Sequence, residues 1–233
     1  MTTRVNLLCA GAVQGIARAL QAGFERQSGA ALQARYGAVG ALKEALLGGE
    51  PCDVMVVTDA MVVALQATGD LDPRPRAPLG RVRTGVAVRA GEPVPPIDTP
   101  SALRAALLGA SAVYFPDPQR ATAGIHFASV LEQLGVRDAL ASRLRTFPNG
   151  ATSMRELASA PPGAIGCTQI TEILYTPGIA LAGALPAAFE LATVYTAAVA
   201  ARAAQPALAA QLVELLAGPA SRSLRADSGF EFD

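Results

Sequence analysis

Residues 4–27 read RVNLLCAGAVQGIARALQAGFERQ. The first part, Arg4–Ala10, is apolar at most positions and reads as a strand. A small-residue loop follows at Ala10-Gly11-Ala12. From Val13 to Gln27 the apolar Ile16, Ala19, Leu20, Gly23 and Phe24 recur at spacings of three and four, which is the helix period. Strand, tight loop and helix in immediate succession are the repeating unit of an α/β fold.

The same alternation runs outward along the chain. Ala30–Tyr36 reads as a strand and Gly40–Leu47 as a helix stopped by Gly48-Gly49. Asp53–Val57 is a short apolar strand of the kind buried on both faces. Ala60–Ala67 is a helix. Residues 72–78 carry Pro73, Pro75 and Pro78 and read as loop. Arg81–Arg89 alternates as a strand, and Thr99 before Pro100 is an N-cap signal for a helix to Leu108. Ala112–Phe115, Leu144–Phe147, Ala164–Thr168, Ile179–Ala182 and Ala192–Ala200 read as strands. Thr122–Leu134, Thr152–Ser159, a turn or two over Gln169–Leu174, Pro206–Leu216 and Ala220–Ala226 read as helices. The pattern predicts an α/β fold with mostly parallel sheets and helices on both faces. The Pro-rich stretch and a turn near 190 read as crossings between two lobes. These would comprise residues 1–80 plus 193–233, and 81–192, with a ligand cleft between them.

Composition narrows the function classes. The chain has 233 residues, 19 Lys plus Arg against 19 Asp plus Glu, and 51% hydrophobic residues. A neutral chain has no electrostatic footprint for nucleic acid or anionic lipid. Lys43 is the sole lysine, so any anion site rests on arginine or backbone. The longest run without charge, Ile173 to Phe189, is short for a span and holds Pro177 and Pro186. No membrane insertion is expected. The N-terminal stretch reads as a strand and not as a leader. Location is therefore cytoplasmic if Met1 is the native start, and periplasmic if a leader was removed. Cys9, Cys52 and Cys167 are odd in number and lack C-x-x-C spacing, so buried thiols are expected, with no disulfide framework and no metal site. No cofactor is implied. A monomer or a small homo-oligomer is expected.

Three places repeat one arrangement of strand end, small-residue loop and helix start: Cys9-Ala10-Gly11-Ala12-Val13, Tyr36-Gly37-Ala38-Val39-Gly40 and Arg120-Ala121-Thr122-Ala123-Gly124. The first N–H groups of a helix are unpaired donors at a positive dipole end. Several such ends would hold an anion with little side-chain charge. Each loop alone is an ordinary feature of α/β proteins.

Taken together, Tyr36–Leu42, Gly49–Val54, Gly85–Gly91, Tyr114–Pro118, Ala123–Phe127 and Gly166–Ile173 resemble the molybdate-binding-protein-like branch of the type 2 periplasmic binding proteins. The resemblance spans roughly residues 4–226. It implies two α/β lobes, a cleft between them and closure over a small anion. Molybdate binders of that branch offer serine hydroxyls from the first two loops, and here those loops read Ala10-Gly11-Ala12 and Gly37-Ala38-Val39-Gly40. The departure shifts the expected ligand from molybdate to a small di- or tricarboxylate. Gly124-Ile125-His126-Phe127 and Gln169-Ile170-Thr171-Glu172-Ile173 resemble an aconitate-isomerase-like side group. The resemblance implies an isomerase that moves a double bond by a 1,3-allylic proton shift. The alternative is a non-catalytic binding protein of an importer, or a ligand sensor.

A proton shift needs a base that titrates near neutrality, and imidazole is the side chain that does so unaided. His126, the only histidine, is the candidate base, in the first turn of its helix. Candidate ligand contacts are Gly11, Ala12, Val39, Gly40, Thr58, Arg120, Thr122, Gly124, Asn149 and Gln169. Capping explains Thr122 equally well, Asn149 with Gly150 reads equally as a plain turn, and Asp59 reads as a cap of the helix after Thr58. Arg120 reads equally as a solvated loop residue, Tyr195 and Cys167 as core, and Glu172 as a surface or capping residue.

Overall fold

The computed structural model describes residues 3–74 and 76–232, so Met1 and Pro75 lie outside it. The chain divides into two compact units. The first holds the described residues up to Arg81 and those from Thr193 on; the second is Val82–Ala192.

The first unit opens with strand β1 (Arg4–Ala10), a 3-10 turn at Gly11–Val13 and helix α1 (Gln14–Ser28). Then come β2 (Ala31–Gly37), α2 (Val39–Leu47), β3 (Val54–Thr58) and α3 (Asp59–Ala67). Strand β4 (Ala77–Arg89) passes into the second unit. That unit continues through α4 (Pro100–Gly109), β5 (Val113–Pro116), α5 (Thr122–Gln133), α6 (Arg137–Leu140) and β6 (Leu144–Phe147). It ends with α7 (Gly150–Ala158), β7 (Ile165–Gln169), α8 (Ile170–Tyr175) and β8 (Ile179–Ala184). The chain returns to the first unit along β9 (Ala192–Val199) and closes with α9 (Pro206–Ala217) and α10 (Arg222–Asp227).

In the first unit β1 pairs in parallel with β2 and β3, and β9 is antiparallel to β3. Val5, Cys9, Val54, Val56 and Val57 are wholly buried, which is why these strands carry no alternation of polar residues. Asp53 is buried too, and its carboxylate accepts from the Asn6 amide nitrogen (2.7 Å), from Asn6 Nδ2 (3.0 Å) and from the Gln205 amide nitrogen (2.8 Å). One carboxylate thereby ties β1, the approach to β3 and the start of α9.

In the second unit β5 pairs in parallel with β6 and β7, while β4 is antiparallel to both β7 and β8. Its core gathers Val86, Leu103, Leu107, Phe115, Phe127, Leu131, Ile165 and Cys167. Phe127 meets Phe115 edge to face with centroids 5.4 Å apart.

Two expectations are corrected, and one element appears that the sequence pattern did not show. Residues 77 and 78 belong to β4, not to a loop. Proline removes only a donor, so it is tolerated at a strand's beginning, and this end is held by the mutual backbone bonds of Arg81 and Glu231 (2.9 and 2.8 Å). Helix α6 is a single turn, too short to show periodicity in the sequence. Glu172 is buried, not on the surface.

Candidate functional site

Parallel pairing aligns strand ends. In the first unit Ala10 lies opposite Gly37, and Cys9 opposite Val56, so β1, β2 and β3 finish along one edge. Gly11, Ala12, Val39 and Gly40 follow those ends and Thr58 is the last residue of β3, so all five are brought to that edge. Tyr195, opposite Thr58 on β9, joins them and is buried.

The helices that start there differ. α3 begins behind Thr58, whose Oγ1 accepts from the Met61 amide at 3.4 Å. Asp59 stands in its first turn, bonded by Thr196 Oγ1 at 2.9 Å and ion-paired with Arg76. The chain's own carboxylate occupies that helix end, and the Thr58 hydroxyl keeps one proton to donate. The 3-10 turn and α2 begin behind Ala10 and Ala38, with no side-chain cap. α1 follows the turn, again with no side-chain cap. An alanine side chain cannot accept a hydrogen bond, so the leading amides around Gly11–Val13 and Val39–Ala41 have no side-chain acceptor at the cap.

In the second unit β5, β6 and β7 run parallel, and their ends lead to α5, α7 and α8. α5 begins behind Ala121, with no side-chain cap. The loop before it is closed by Asp117, whose Oδ1 accepts from the Gln119 amide (2.7 Å) and the Arg120 amide (3.2 Å). Arg120 is exposed and Thr122 is half-buried as the first helical residue. Gly124 is buried because the helix lies directly on the end of β5: a Cβ there would collide with the carbonyl oxygens of Pro116 and Asp117.

His126 is the fifth residue of α5, one turn in from its start and not in its first turn. Its Nε2 lies 2.8 Å from the Phe189 carbonyl oxygen. A carbonyl only accepts, so Nε2 carries the proton and donates. The neutral ring then has its free lone pair on Nδ1.

Asn149 begins α7, and its Oδ1 accepts from the Thr152 amide at 2.8 Å. Behind it lies Glu172, which the sequence suggested as a surface or capping residue; it is buried, and of those two readings the capping one fits. Its carboxylate accepts from Thr168 Oγ1 at 2.6 Å and from the backbone amides of Ala151 and Gln169. Gly150 leaves the room for it, since a Cβ there would strike both Glu172 and Thr168. Burial pushes the Glu172 carboxyl up to about 7, with those hydrogen bonds opposing the rise. The sequence held one signal for this: Thr168 and Glu172 stand four apart, bracketing a helix start. Gln169 is buried at the end of β7, and neither atom of its amide has a partner. Cys167, a wholly buried core residue, is held protonated by burial and is no nucleophile.

Among the described residues no group of three or more His, Cys, Asp and Glu could hold a metal ion, and no helix is long and apolar enough to cross a membrane. The chemistry on offer is hydrogen-bond donation to an anion from helix amides and neutral side chains, beside one imidazole and one buried carboxyl.

Comparison with known proteins follows this geometry. The sequence profile of the bacterial extracellular solute-binding proteins matches residues 5–231. The aconitate isomerase of a Pseudomonas species is 25% identical over 235 aligned residues, covering 98% of this chain and 88% of that protein. The periplasmic molybdate-binding protein of Azotobacter vinelandii superposes with a TM-score of 0.82 at 21% identity, over 98% of this chain and 99% of that one. The sulfate-binding protein of Mycobacterium tuberculosis superposes with a TM-score of 0.72 at 18% identity, over 98% of this chain and 86% of that one. The fold is that of the type 2 periplasmic binding proteins, molybdate-binding-protein-like.

Proposed function

The chain belongs to the bacterial extracellular solute-binding protein family, and from that premise we propose that it binds a small di- or tricarboxylate. The observation that carries this is the set of helix starts behind Ala10, Ala38 and Ala121, with no side-chain cap on any of them. Such ends attract anions without adding charge to a chain whose net charge is zero. A tetrahedral oxoanion is the less suited ligand, because the first two loops lack hydroxyl donors to surround it. Gly11, Ala12, Val39, Gly40, Thr122 and Gly124 are the proposed backbone contacts. Thr58, Arg120, Asn149 and Gln169 are the proposed side-chain contacts, and Asn149 and Thr58 would have to serve as contacts and caps together. The family name favours an exported protein over a cytoplasmic one.

A second reading adds catalysis, favoured by the alignment with aconitate isomerase along nearly the whole chain. The step moves a proton from the carbon beside one carboxylate to the far end of the allyl unit, and the C=C pair shifts by one bond. No electron acceptor is needed. In this reading His126 Nδ1 takes the proton, while the Nε2–H bond to Phe189 holds the ring in one orientation. Helix amides steady the enolate-like charge.

The test is calorimetric titration with citrate, cis- and trans-aconitate and molybdate, followed by NMR of the vinyl protons in deuterated buffer. Carboxylate binding tighter than molybdate supports the first reading, and molybdate alone would overturn it. Interconversion of the aconitates with deuterium uptake supports the second. His126→Gln keeps a donor for Phe189 but removes the base, so turnover should fall about a hundredfold or more with binding kept. Unchanged turnover would remove His126 from the chemistry.

A further inference from the structure

Thr84 and Gln169 are directly opposite each other on the antiparallel strands β4 and β7. Side chains at such a position share one face of the sheet with Cβ atoms about 5 Å apart. Thr84 is 1% exposed and Gln169 2%. Thr84 Oγ1 and both Gln169 Nε2 and Oε1 make no hydrogen bond. Three of the four backbone groups beneath them are engaged. The Thr84 amide donates to the Leu191 carbonyl (3.0 Å) and its carbonyl accepts from the Leu185 amide (3.1 Å), while the Gln169 amide donates to Glu172. Two residues further along the same face, Val86 stands opposite Cys167, both wholly buried in the apolar core. A hydrogen-bonded backbone thus holds three buried polar atoms without a partner, one pair along the same face from the core positions Val86 and Cys167. Leaving them so is a cost to the folded protein, and in such surroundings each becomes a strong and selective partner for a matching ligand.

Their chemistry specifies the match. Nε2–H and the Thr84 hydroxyl donate; Oε1 only accepts. A fully deprotonated oxoanion offers acceptors alone and would set an oxygen against Oε1. A carboxylate with a hydroxyl beside it answers all three atoms, taking two hydrogen bonds and giving one. Resting on the carboxylate reading above, we propose that Thr84 and Gln169 form a recognition pair that selects hydroxycarboxylates.

Citrate and tricarballylate share one tricarboxylate skeleton and differ by the central hydroxyl. The whole chain, titrated by calorimetry, should bind citrate at least about tenfold more tightly than tricarballylate, because a site built to bond a hydroxyl rejects the analogue that lacks it. Thr84→Val and Gln169→Met should each bring that ratio close to one. Neither should lower the Tm of the unliganded protein, since each removes a buried polar group that nothing satisfies. Equal affinities in the unmodified protein, a ratio preserved in both variants, or a clear fall in unliganded Tm would each overturn the proposal. If trans-aconitate and tricarballylate bind as well as citrate, the recognition pair fails and the carboxylate reading stands. If no carboxylate binds, both fail.

Discussion

Six of the ten helices among the described residues fall into two sets; α8 and α9 also lack a cap from the preceding side chain, but each starts against a carboxylate, Glu172 and Asp53. α3, α4 and α7 start behind Thr58, Thr99 and Asn149, whose oxygens accept from the helix amides at 3.4, 3.1 and 2.8 Å. α1 with its leading turn, α2 and α5 have no such acceptor, and the chain enters them through Ala10, Ala38 and Ala121. A polar cap is worth about 1 kcal/mol over alanine. The second set therefore gives up stability at three places. Loss of stability where function needs an unsatisfied group is a familiar trade. The second unit shows both cases side by side: α5 starts open, whereas α7 starts under Asn149 from one side and Glu172 from the other.

That contrast can be broken at its closed end first. The folded Glu172 carboxyl titrates at about 7, above its ordinary 4.5. A folded value raised above the unfolded one means the folded state binds more protons between them. Stability is then greatest below about 4.5, falls as pH rises to about 7, and is flat beyond. The span is on the order of 3 kcal/mol. Urea midpoints measured from pH 4 to 8 should show this fall, and Glu172→Gln should flatten it. A flat profile in the unmodified protein would contradict the buried, ionisable end of α7.

Smaller effects follow at the open ends. Gly124→Ala forces α5 off the end of β5 and should cost about 1–3 kcal/mol in urea unfolding. Ala38→Ser supplies the missing acceptor to α2. It should raise stability by about 1 kcal/mol while weakening citrate, because a side chain then competes for the same amides. A stability gain with binding unchanged would detach α2 from the ligand. Gly23→Ala, in open space on α1, should stabilise by about 0.5–1 kcal/mol and leave binding alone, serving as the control.

The fold was readable because its signals are local and repeated. Residues 4–27 already show the βα unit, the strand expected over Leu144–Phe147 has those bounds, and the helix expected over Pro206–Leu216 before Gly218-Pro219 runs over Pro206–Ala217. Long-range pairing was not readable. The strand that begins at Ala77 runs into Arg81, whose backbone bonds Glu231 far along the chain. Glu172 read as a surface or capping residue because a carboxylate is rarely buried, and only the fold reveals its burial and the amides of Ala151 and Gln169 around it. The candidate loops were visible as small residues at strand ends, but their lack of caps is a geometric fact. Thr84 carried no sequence signal beyond alternation in a strand. Its interest comes wholly from lying opposite Gln169.

The central claim is that a carboxylate is held by the open helix starts. Amide chemical shifts followed during a citrate titration test it most directly. Saturable shifts should concentrate at Ala12, Val13, Val39, Gly40, Thr122 and Ala123, with little change at Met61 and Ala102, whose amides are already bonded to Thr58 and Thr99. Shifts confined to the capped ends, or scattered without saturation, would contradict it.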